Sequence, residues 1–330
     1  MLPLIAITMG DPAGVGPELC LRAAADPRVL DACRPVVIGD RNVLVQCADK
    51  LGHGLPPLTL RFDDDWAPLD RHDGAALIDC DAFGMAVEPG RPSAEAGMAT
   101  YRYLTLAIDA AVSRLFDAVT TAPLTKATLH MAGIDDPGHT EILARRTNTS
   151  NYAMMLYSPR IAVSLVTIHQ SIASVSASLT SDSIARVIDL AGRTLERIRG
   201  RRPRLAVVAL NPHAGEGGLF GDEEARAIIP AIERARSAGW QVDGPLVPDA
   251  AFTPSALGRY DGHVVMYHDQ GLIPFKMLSF HDGVNVTMGL PIIRTSPDHG
   301  TAYDIAWTGK ADPSSLISAI LLAARMVLNR

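Results

Sequence analysis

The feature that most constrains the fold is a series of short apolar runs that alternate with helix-like segments. Strands are predicted at 4–8, 35–38, 118–122, 152–157, 161–168, 205–210, 240–246 and 263–267. Helices are predicted at about 17–25, 42–51, 93–116, 126–131, 180–199 and 314–328. A further helix is predicted to begin at 138, and another to end at about 238. The Pro- and Asp-rich residues 54–74 are expected to form irregular surface. This alternation predicts an α/β protein with a largely parallel sheet, in which 152–157 and 161–168 form a hairpin.

Composition narrows the class of protein. A chain of 330 residues can form two α/β domains around a cleft or one large domain. A net charge of −6 argues against a general nucleic-acid or anionic-membrane binder. No apolar run reaches the ~18–20 residues of a membrane span, and the start MLPLIAITMGDP reads as a first strand rather than a signal peptide. Four cysteines without CxxC spacing predict reduced, buried thiols in a cytoplasmic protein.

The stretch from Asp261 to Asp304 carries the densest set of polar candidates. His268 and Asp269 come directly after the apolar run 263–267, and ligands bind at the carboxyl ends of strands in open α/β sheets. Lys276, Asn285, Arg294, Asp298 and His299 follow within thirty-one residues of His268. Each taken alone is compatible with an ordinary loop residue. Together they predict a functional site.

Three histidines share one kind of position, just beyond a strand-like run: His169, His213 and His268. Three neutral imidazoles suit a borderline divalent cation such as zinc, cobalt, nickel or manganese, with coordination positions left for substrate. Their long spacing forms no local ligand motif. The residues alone therefore leave open a metal site or three separate core or hydrogen-bonding histidines.

Two predicted helix starts are suited to anions. The turn Gly10–Glu18 leads into a helix whose exposed amides can hold an anion, although it is not a GxGxxG motif. His139 and Thr140 stand at the start of a later helix, a suitable place for a phosphate or carboxylate. The alternative is that Thr140 only caps its helix.

Two segments resemble the isocitrate/isopropylmalate dehydrogenase superfamily. GDPAGVGPE at Gly10–Glu18 resembles that group's GDGIGPE, and HGTAYDIAWTGKAD at His299–Asp312 resembles its adenosine-binding loop HGSAPDIAGKGIAN. The resemblance implies two α/β/α lobes with a cleft between them. It implies a cofactor-binding lobe at 1–125 plus 250–330, and a metal-binding and dimerisation lobe at 126–249. The cofactor residues would be His299, Gly300, Thr301, Ala302 and Asp304.

A closer resemblance covers almost the whole chain. The segments GDPAGVGPE, TAPLTK, AGIDDPGHTE, TIHQSI, LNPHAGEGG, MYHDQG and GVNVTMGLPIIRTSPDHGTA, in that order, resemble the 4-hydroxythreonine-4-phosphate dehydrogenases of pyridoxal phosphate biosynthesis. This implies a metal site of His169, His213 and His268, with the last supplied by the neighbouring subunit of a homodimer. It implies substrate contacts from His139, Thr140, Lys276, Asn285 and Arg294. The final helix and the 152–168 hairpin are candidate interface surfaces.

The activity implied is oxidation of the 3-hydroxyl of 4-phosphooxy-L-threonine and decarboxylation to 3-amino-2-oxopropyl phosphate. It would use NAD, or NADP, and one divalent metal (zinc, magnesium, cobalt, nickel or manganese). Lys276, Asp269 and Asp249 are the candidates for proton transfer.

A close branch oxidises 4-phospho-D-threonate to dihydroxyacetone phosphate and CO₂. The segment KMLSF at 276–280 departs from the KYQGF pattern of the biosynthetic enzymes, which puts the substrate in doubt. A metal-dependent hydrolase and a metabolite-binding module are the competing classes, and the adenosine-loop resemblance argues against the hydrolase.

Overall fold

The computed structural model describes residues 2–84, 86–136 and 138–329; Pro137 of the AGIDDPGHTE segment lies outside them. The strands are β1 Leu4–Thr8, β2 Arg34–Gly39, β3 Leu58–Arg61, β4 Ala76–Asp79, β5 Ala118–Thr121, β6 Ala153–Tyr157, β7 Ala162–Leu165, β8 Arg204–Val208, β9 Gln241–Leu246, β10 Gly262–Val265, β11 Val284–Met288 and β12 Ile293–Pro297.

The helices are α1 Gly16–Ala24, α2 Pro27–Ala32, α3 Arg41–Leu51, α4 Ala94–Val112, α5 Lys126–Met131, α6 His139–Arg146, α7 Ile172–Ser178, α8 Ser181–Arg199, α9 Ile229–Ser237, α10 Pro254–Arg259, α11 His268–Leu278 and α12 Ser314–Leu328. Short 3₁₀ or π turns occur at Ala67–Arg71, Pro212–Gly218, Glu224–Ile228 and Tyr303–Ile305. The predicted α/β class is confirmed.

One compact unit comprises the described residues of Met1–Ser150 and Leu290–Leu328. Its strands lie in the order β3-β4-β2-β1-β5-β12, and every pair is parallel. Strand β1 reads LIAIT and is buried throughout, as expected of a parallel strand covered on both faces. Helix α4 begins where the Ser93 hydroxyl accepts the Ala96 N–H at 3.1 Å. Helix α12 packs on β12 and β5.

The other unit comprises Asn151–Gly289 and the described residue Asn329. Its strands lie in the order β11-β6-β7-β10-β8-β9. Strand β6 is antiparallel to both β11 and β7, so the predicted hairpin is confirmed. Strands β7, β10, β8 and β9 are parallel. The carboxyl ends of β7, β10 and β8 therefore lie side by side at one edge.

These units divide the chain differently from the expected lobes, which changed at 125/126 and 249/250. Residues 126–150 belong to the first unit because α5 packs on α4, where a Cβ on Gly97 would stand 1.9 Å from the Thr128 carbonyl oxygen. Residues 250–289 belong to the second unit because β10 pairs with β7 and β8, and β11 pairs with β6.

The structure corrects the expectation of irregular surface at 54–74. Strand β3 lies within that stretch and pairs with β4, which follows it, and a 3₁₀ turn at Ala67–Arg71 lies between the two strands. The alternating burial of LTLR is that of a half-exposed edge strand. Elements α11, β11 and β12 were also absent from the predicted set, although they carry most of the polar candidates.

Two predictions from the sequence concern the burial of the cysteines and the lack of a membrane-spanning segment. Cys20, Cys33, Cys47 and Cys80 are buried free thiols, as predicted, and burial raises the pKa of Cys33 and Cys47 to about 12. In the described part of the chain, the helices lack the length and apolar character needed to span a membrane.

His263 predicts an acid-sensitive step in stability. The ring is 2% exposed and packs against Phe252 (centroids 5.0 Å apart) and Tyr260 (5.9 Å), and burial lowers its pKa from 6.5 to about 4. The unfolded chain therefore takes up a proton that the folded chain refuses. Above pH 6.5 the buried neutral His263 therefore has no cost in stability. As the pH falls from 6.5 towards 4, the free energy of unfolding decreases by about 3 kcal/mol.

This dependence is checked by denaturant unfolding between pH 7 and 4. The variant His263→Phe, which keeps an aromatic ring in the stack, is expected to flatten it. The control His130→Gln changes an exposed histidine and should leave the slope unaltered. Equal slopes for the wild type and His263→Phe would contradict the assignment.

Candidate functional site

The second unit brings two of the three predicted metal histidines together. His169 follows β7, His268 follows the adjacent β10, and their ring centroids are 5.8 Å apart. Two imidazoles bound to one tetrahedral cation at about 2.0–2.1 Å have centroids roughly 5–6 Å apart. The pair line a cavity of ≈ 380 Å³ with residues of the loops and helix starts around them. Their spacing fits two ligands of one divalent cation.

His268 is oriented by its neighbour. It is the first residue of α11, and its Nδ1 lies 2.7 Å from Asp269 Oδ1. With the Nδ1 hydrogen donated to that carboxylate, Nε2 keeps its lone pair. A carboxylate on the far nitrogen is the usual partner of a metal-binding histidine, since it fixes the ring and raises its basicity.

His213 has the same kind of partner in a different backbone. Its Nδ1 lies 3.2 Å from Glu216 Oε2, and its side chain is 67% exposed. From His213 to Gly217, five consecutive residues have positive φ, and three of them are not glycine. Each such non-glycine residue costs of order 1 kcal/mol or more. The surrounding chain must therefore hold this loop.

Two buried carboxylates after β8 hold the start of the loop. Glu224 accepts hydrogen bonds from the backbone N–H of Leu210 (2.9 Å) and Asn211 (2.8 Å), and from Asn211 Nδ2 (2.9 Å). Glu223 accepts from Asn211 Nδ2 at 2.7 Å and from the Ser176 hydroxyl. Sequence reasoning missed both; the signal was an acidic pair at the end of the glycine-rich segment GEGGLFGDEE, ten residues after the histidine.

Gln270 ties neighbouring strand ends together. Its Oε1 accepts the Met266 N–H at 2.7 Å, and its Nε2 donates to the Ala209 carbonyl at 2.7 Å. The Thr167 hydroxyl donates to the Met266 carbonyl at 2.7 Å, which joins the His169 segment to the His268 segment. Neither residue was singled out from the sequence.

His213 is not grouped with the other two histidines in this chain. Among residues 2–84, 86–136 and 138–329, no three His, Cys, Asp or Glu side chains are close enough to hold a cation together. A single chain therefore presents a two-histidine half-site at the ends of β7 and β10.

In the first unit, Arg294 and His139 form a candidate anion site. Arg294 lies on β12, is 2% exposed, and donates from Nη2 to Thr121 Oγ1 at 2.6 Å. Burial lowers the pKa of Arg294 to about 9, while the nearby Glu141 acts in the opposite direction. Burial of its ring, and then the charge of Arg294, holds the pKa of His139 well below 6.5, although part of the residue's surface stays open.

Helix α6 presents its first turn beside this cation. Gly138 occupies the N-cap, so His139 and Thr140 are the first two helical residues. Thr140 is therefore not the cap, and its backbone N–H is among those at the positive end of the helix. A buried guanidinium and a helix start together suit a phosphate or a carboxylate.

The loop predicted to hold a cofactor is fixed to the Gly10–Glu18 turn. The Val15 N–H donates to the Thr301 carbonyl at 3.0 Å, and the buried Glu18 carboxylate accepts from Ala311 N at 3.2 Å. His299, Gly300 and Asp304 are exposed. A Cβ added to Gly300 would meet no atom within 4 Å, so this edge has room for a ligand.

The remaining candidates lie outside the His169–His268 pair and the Arg294–His139 group, and fewer of their contacts bear on function. Asn285 lies on β11, and its buried Oδ1 has no hydrogen-bond partner among the described residues. This oxygen can accept a hydrogen bond from an N–H or O–H group of a ligand. Lys276 is half-buried in the last turn of α11, with Nζ 5.4 Å from the Phe280 ring centroid. Asp249 is exposed in the turn after β9. The backbone N–H of Asp298 donates to Ser315 Oγ at 3.1 Å, a structural contact.

Comparison with known proteins gives one consistent result. The family model described as pyridoxal phosphate biosynthetic protein PdxA matches residues 31–323. The 4-hydroxythreonine-4-phosphate dehydrogenase of Desulfosudis oleivorans is 50% identical, with 97% of this chain and 95% of the relative covered. The D-threonate 4-phosphate dehydrogenase of Salmonella typhimurium is 44% identical, with 98% of each covered. The crystal structure of 4-hydroxythreonine-4-phosphate dehydrogenase from Klebsiella pneumoniae matches with a TM-score of 0.87, 42% identity, and 99% and 98% covered.

Proposed function

Because the chain belongs to the pyridoxal phosphate biosynthetic protein PdxA family and is a dehydrogenase, we propose that it oxidises 4-phosphooxy-L-threonine with NAD. Carbon 3 loses a hydride to NAD, and its hydroxyl group loses a proton to a base. The resulting β-keto acid loses CO₂ and takes up a proton at the carbon that carried the carboxylate. The products are 3-amino-2-oxopropyl phosphate, CO₂ and NADH.

The observation that carries this proposal is identity along nearly the full chain. The relatives named 4-hydroxythreonine-4-phosphate dehydrogenase reach 47% and 50% identity over 98% and 97% of it. Other relatives with the first name are 43% and 45% identical, and relatives named D-threonate 4-phosphate dehydrogenase reach 44%, so oxidation of D-threonate 4-phosphate is a second candidate of nearly equal similarity. Both substrates are phosphorylated four-carbon hydroxy acids, and both reactions balance in the same way.

The phosphate would be bound by the Arg294 group. The planar guanidinium can donate two parallel hydrogen bonds to phosphate oxygens, and the first-turn amides of α6 add N–H donors. His139 is expected to be neutral at pH 7, since its pKa is lowered by burial and by Arg294. It would therefore offer one N–H without adding a second buried charge.

His169, His213 and His268 would hold a divalent cation, and the loop from His299 to Asp304 would hold the adenosine half of NAD. When bound, the cation supplies a Lewis acid and the nicotinamide a hydride acceptor. The chain's own residues orient and bind: Asp269 and Glu216 hold the imidazoles of His268 and His213. Because Asp269 is engaged in this way, Lys276 and Asp249 are the better candidates for moving protons.

We further propose that a second copy of this chain completes the metal site. The half-site of one chain contains two histidines. Among the described residues, five of the six large apolar side chains that are more than 60% exposed lie in the same unit: Ile172, Leu219, Ile273, Met277 and Phe280. Such side chains usually become covered in an assembly. The surfaces expected from the sequence, α12 and the β6–β7 hairpin, are largely buried within their own units, which favours the exposed side chains above as the interface.

The test of substrate is a side-by-side assay of the purified enzyme with 4-phosphooxy-L-threonine and D-threonate 4-phosphate. Appearance of the reduced-nicotinamide absorbance band with a higher kcat/KM for 4-phosphooxy-L-threonine supports the proposal. A higher kcat/KM for D-threonate 4-phosphate would transfer it to the second candidate. Product release without any absorbance change would indicate hydrolase chemistry instead.

Gly300 offers a test of the cofactor loop. The variant Gly300→Leu has open space for its side chain, so the fold should persist while the KM for NAD rises roughly tenfold, or about 1.4 kcal/mol. The KM for the phosphorylated substrate should stay unchanged. Gly54→Leu is the matched control, since a Cβ there also meets no atom within 4 Å. An equal rise of both Michaelis constants would count against the assignment.

A further inference from the structure

Asp11 is a buried carboxylate with a contact to a distant part of the sequence. It stands in the turn after β1 and is fully buried. Its Oδ1 accepts the Ala13 N–H at 2.9 Å, and its Oδ2 accepts the Thr128 hydroxyl at 3.1 Å. The same Oδ2 accepts the Tyr303 hydroxyl at 2.8 Å, from a residue 292 positions further along. The third contact reaches the loop 299–304.

The backbone packs closely around the Asp11–Tyr303 contact, so the loop 299–304 has little room to move. A Cβ on Gly14 would stand 3.0 Å from the Thr301 carbonyl oxygen, and one on Gly90 would stand 2.9 Å from that of Tyr303. Both approaches would be blocked by a side chain. Between Thr301 and Tyr303, Ala302 has a φ of 42°, a left-handed conformation that a non-glycine residue keeps only when its surroundings enforce it.

The hydroxyl of Tyr303 is suited to a fixed donor role. Burial, and then the neighbouring Asp11 carboxylate, raise the pKa of Tyr303, so the phenol stays protonated and donates. Burial also raises the pKa of Asp11, and its three donors act against that rise. A hydrogen bond to a buried carboxylate is stronger than one between neutral groups.

We propose that Asp11 and Tyr303 form a positioning pair that fixes the loop 299–304 in the conformation that binds the adenosine half of the cofactor. The inference rests on the proposed function, since it assumes that this loop binds NAD. The pair acts through the loop and does not touch the reacting atoms. Removing the Tyr303 hydroxyl should therefore weaken cofactor binding without altering substrate binding.

The experiment measures the Kd of NADH by fluorescence titration of the full-length enzyme, together with the KM values for NAD and substrate. Tyr303→Phe is expected to raise the Kd of NADH and the KM for NAD roughly ten- to hundredfold, as for loss of one hydrogen bond to a charged group. Thr128→Val removes another donor from the same Asp11 oxygen while the Tyr303–Asp11 hydrogen bond stays in place, and should leave both values near wild type. Asp11→Asn keeps an acceptor for Tyr303 and should fall between the two.

Each outcome decides the matter. Unchanged NADH binding in Tyr303→Phe overturns the inference while the proposed function stands, provided that the wild type binds and reduces the cofactor. Equal losses in Tyr303→Phe and Thr128→Val, or equal rises of both Michaelis constants, show a merely structural role and also overturn it. If Tyr303→Phe does not fold, a Kd of NADH for Asp11→Asn that lies above the Kd for Thr128→Val supports the pair, and a wild-type Kd for Asp11→Asn contradicts it. A wild type that neither binds NADH nor reduces NAD overturns the proposed function, and the inference with it.

Discussion

Replacing His213 by alanine is expected to abolish turnover and to lower the content of bound divalent metal while the fold persists. The imidazole is 67% exposed on a left-handed loop, so its removal leaves no cavity in the core. The loss is therefore a loss of ligand. Glu216→Gln, which changes the carboxylate on Nδ1, should lower metal affinity about 10–100-fold.

The control is His130→Ala, which removes an exposed histidine from the other unit. Its metal content and activity should match the wild type. Metal is measured by elemental analysis after gel filtration, and folding by thermal unfolding. A His213→Ala enzyme with full activity after exhaustive chelation would contradict the metal site.

Mixing inactive variants tests which histidine crosses between copies. With His169 and His268 5.8 Å apart in one chain, we expect His213 to be supplied by the partner, rather than His268 as the family resemblance implied. Mixtures of His169→Ala with His213→Ala, and of His268→Ala with His213→Ala, should then recover activity. One intact site per mixed dimer gives roughly a quarter of wild-type activity at equal amounts.

The mixture of His169→Ala with His268→Ala separates the arrangements. It should stay inactive if these two residues serve the same site from one chain. Recovery in this mixture, with none from His169→Ala plus His213→Ala, would return His268 to the partner's role. No recovery in any mixture would place all three ligands in one chain, and the shared site would be rejected.

Arg294→Lys is expected to reduce kcat/KM for the phosphorylated substrate about 10–100-fold, which corresponds to 1–3 kcal/mol for a lost charge-assisted hydrogen bond. Lysine keeps the charge but lacks the planar fork that matches two phosphate oxygens. The buried position between Thr121 and the start of α6 leaves little room for a flexible ammonium to compensate.

The comparison that decides this prediction uses the unphosphorylated analogue of the same substrate. The wild type should prefer the phosphorylated form strongly, and Arg294→Lys should lose most of that preference. Thr121→Val is the matched control, because it removes the hydroxyl partner of Arg294 and keeps the guanidinium. An equal loss for both substrates would show that Arg294 is not the phosphate ligand.

The sequence by itself determined many of the local elements and the positions of the three histidines after them, but not α11, β11 or β12, which carry Lys276, Asn285 and Arg294. Strand β1 was predicted at its observed bounds, and α12 likewise, because an apolar β-branched run and a 3.6-residue apolar period are local patterns. His169, His213 and His268 were identified by their position after strands. These inferences needed no knowledge of strand order.

Only the tertiary structure decided which of these residues meet. Strand β10 lies between β7, which precedes it by about 100 residues in sequence, and β8, which precedes it by about 60, and this order brings His268 beside His169. Sequence period says which face of a strand is apolar but not which strand is its neighbour. The sequence also could not predict the left-handed loop at His213 or the carboxylates of Glu223 and Glu224 that hold it. A strained backbone is maintained by contacts distant in the chain rather than by local preference.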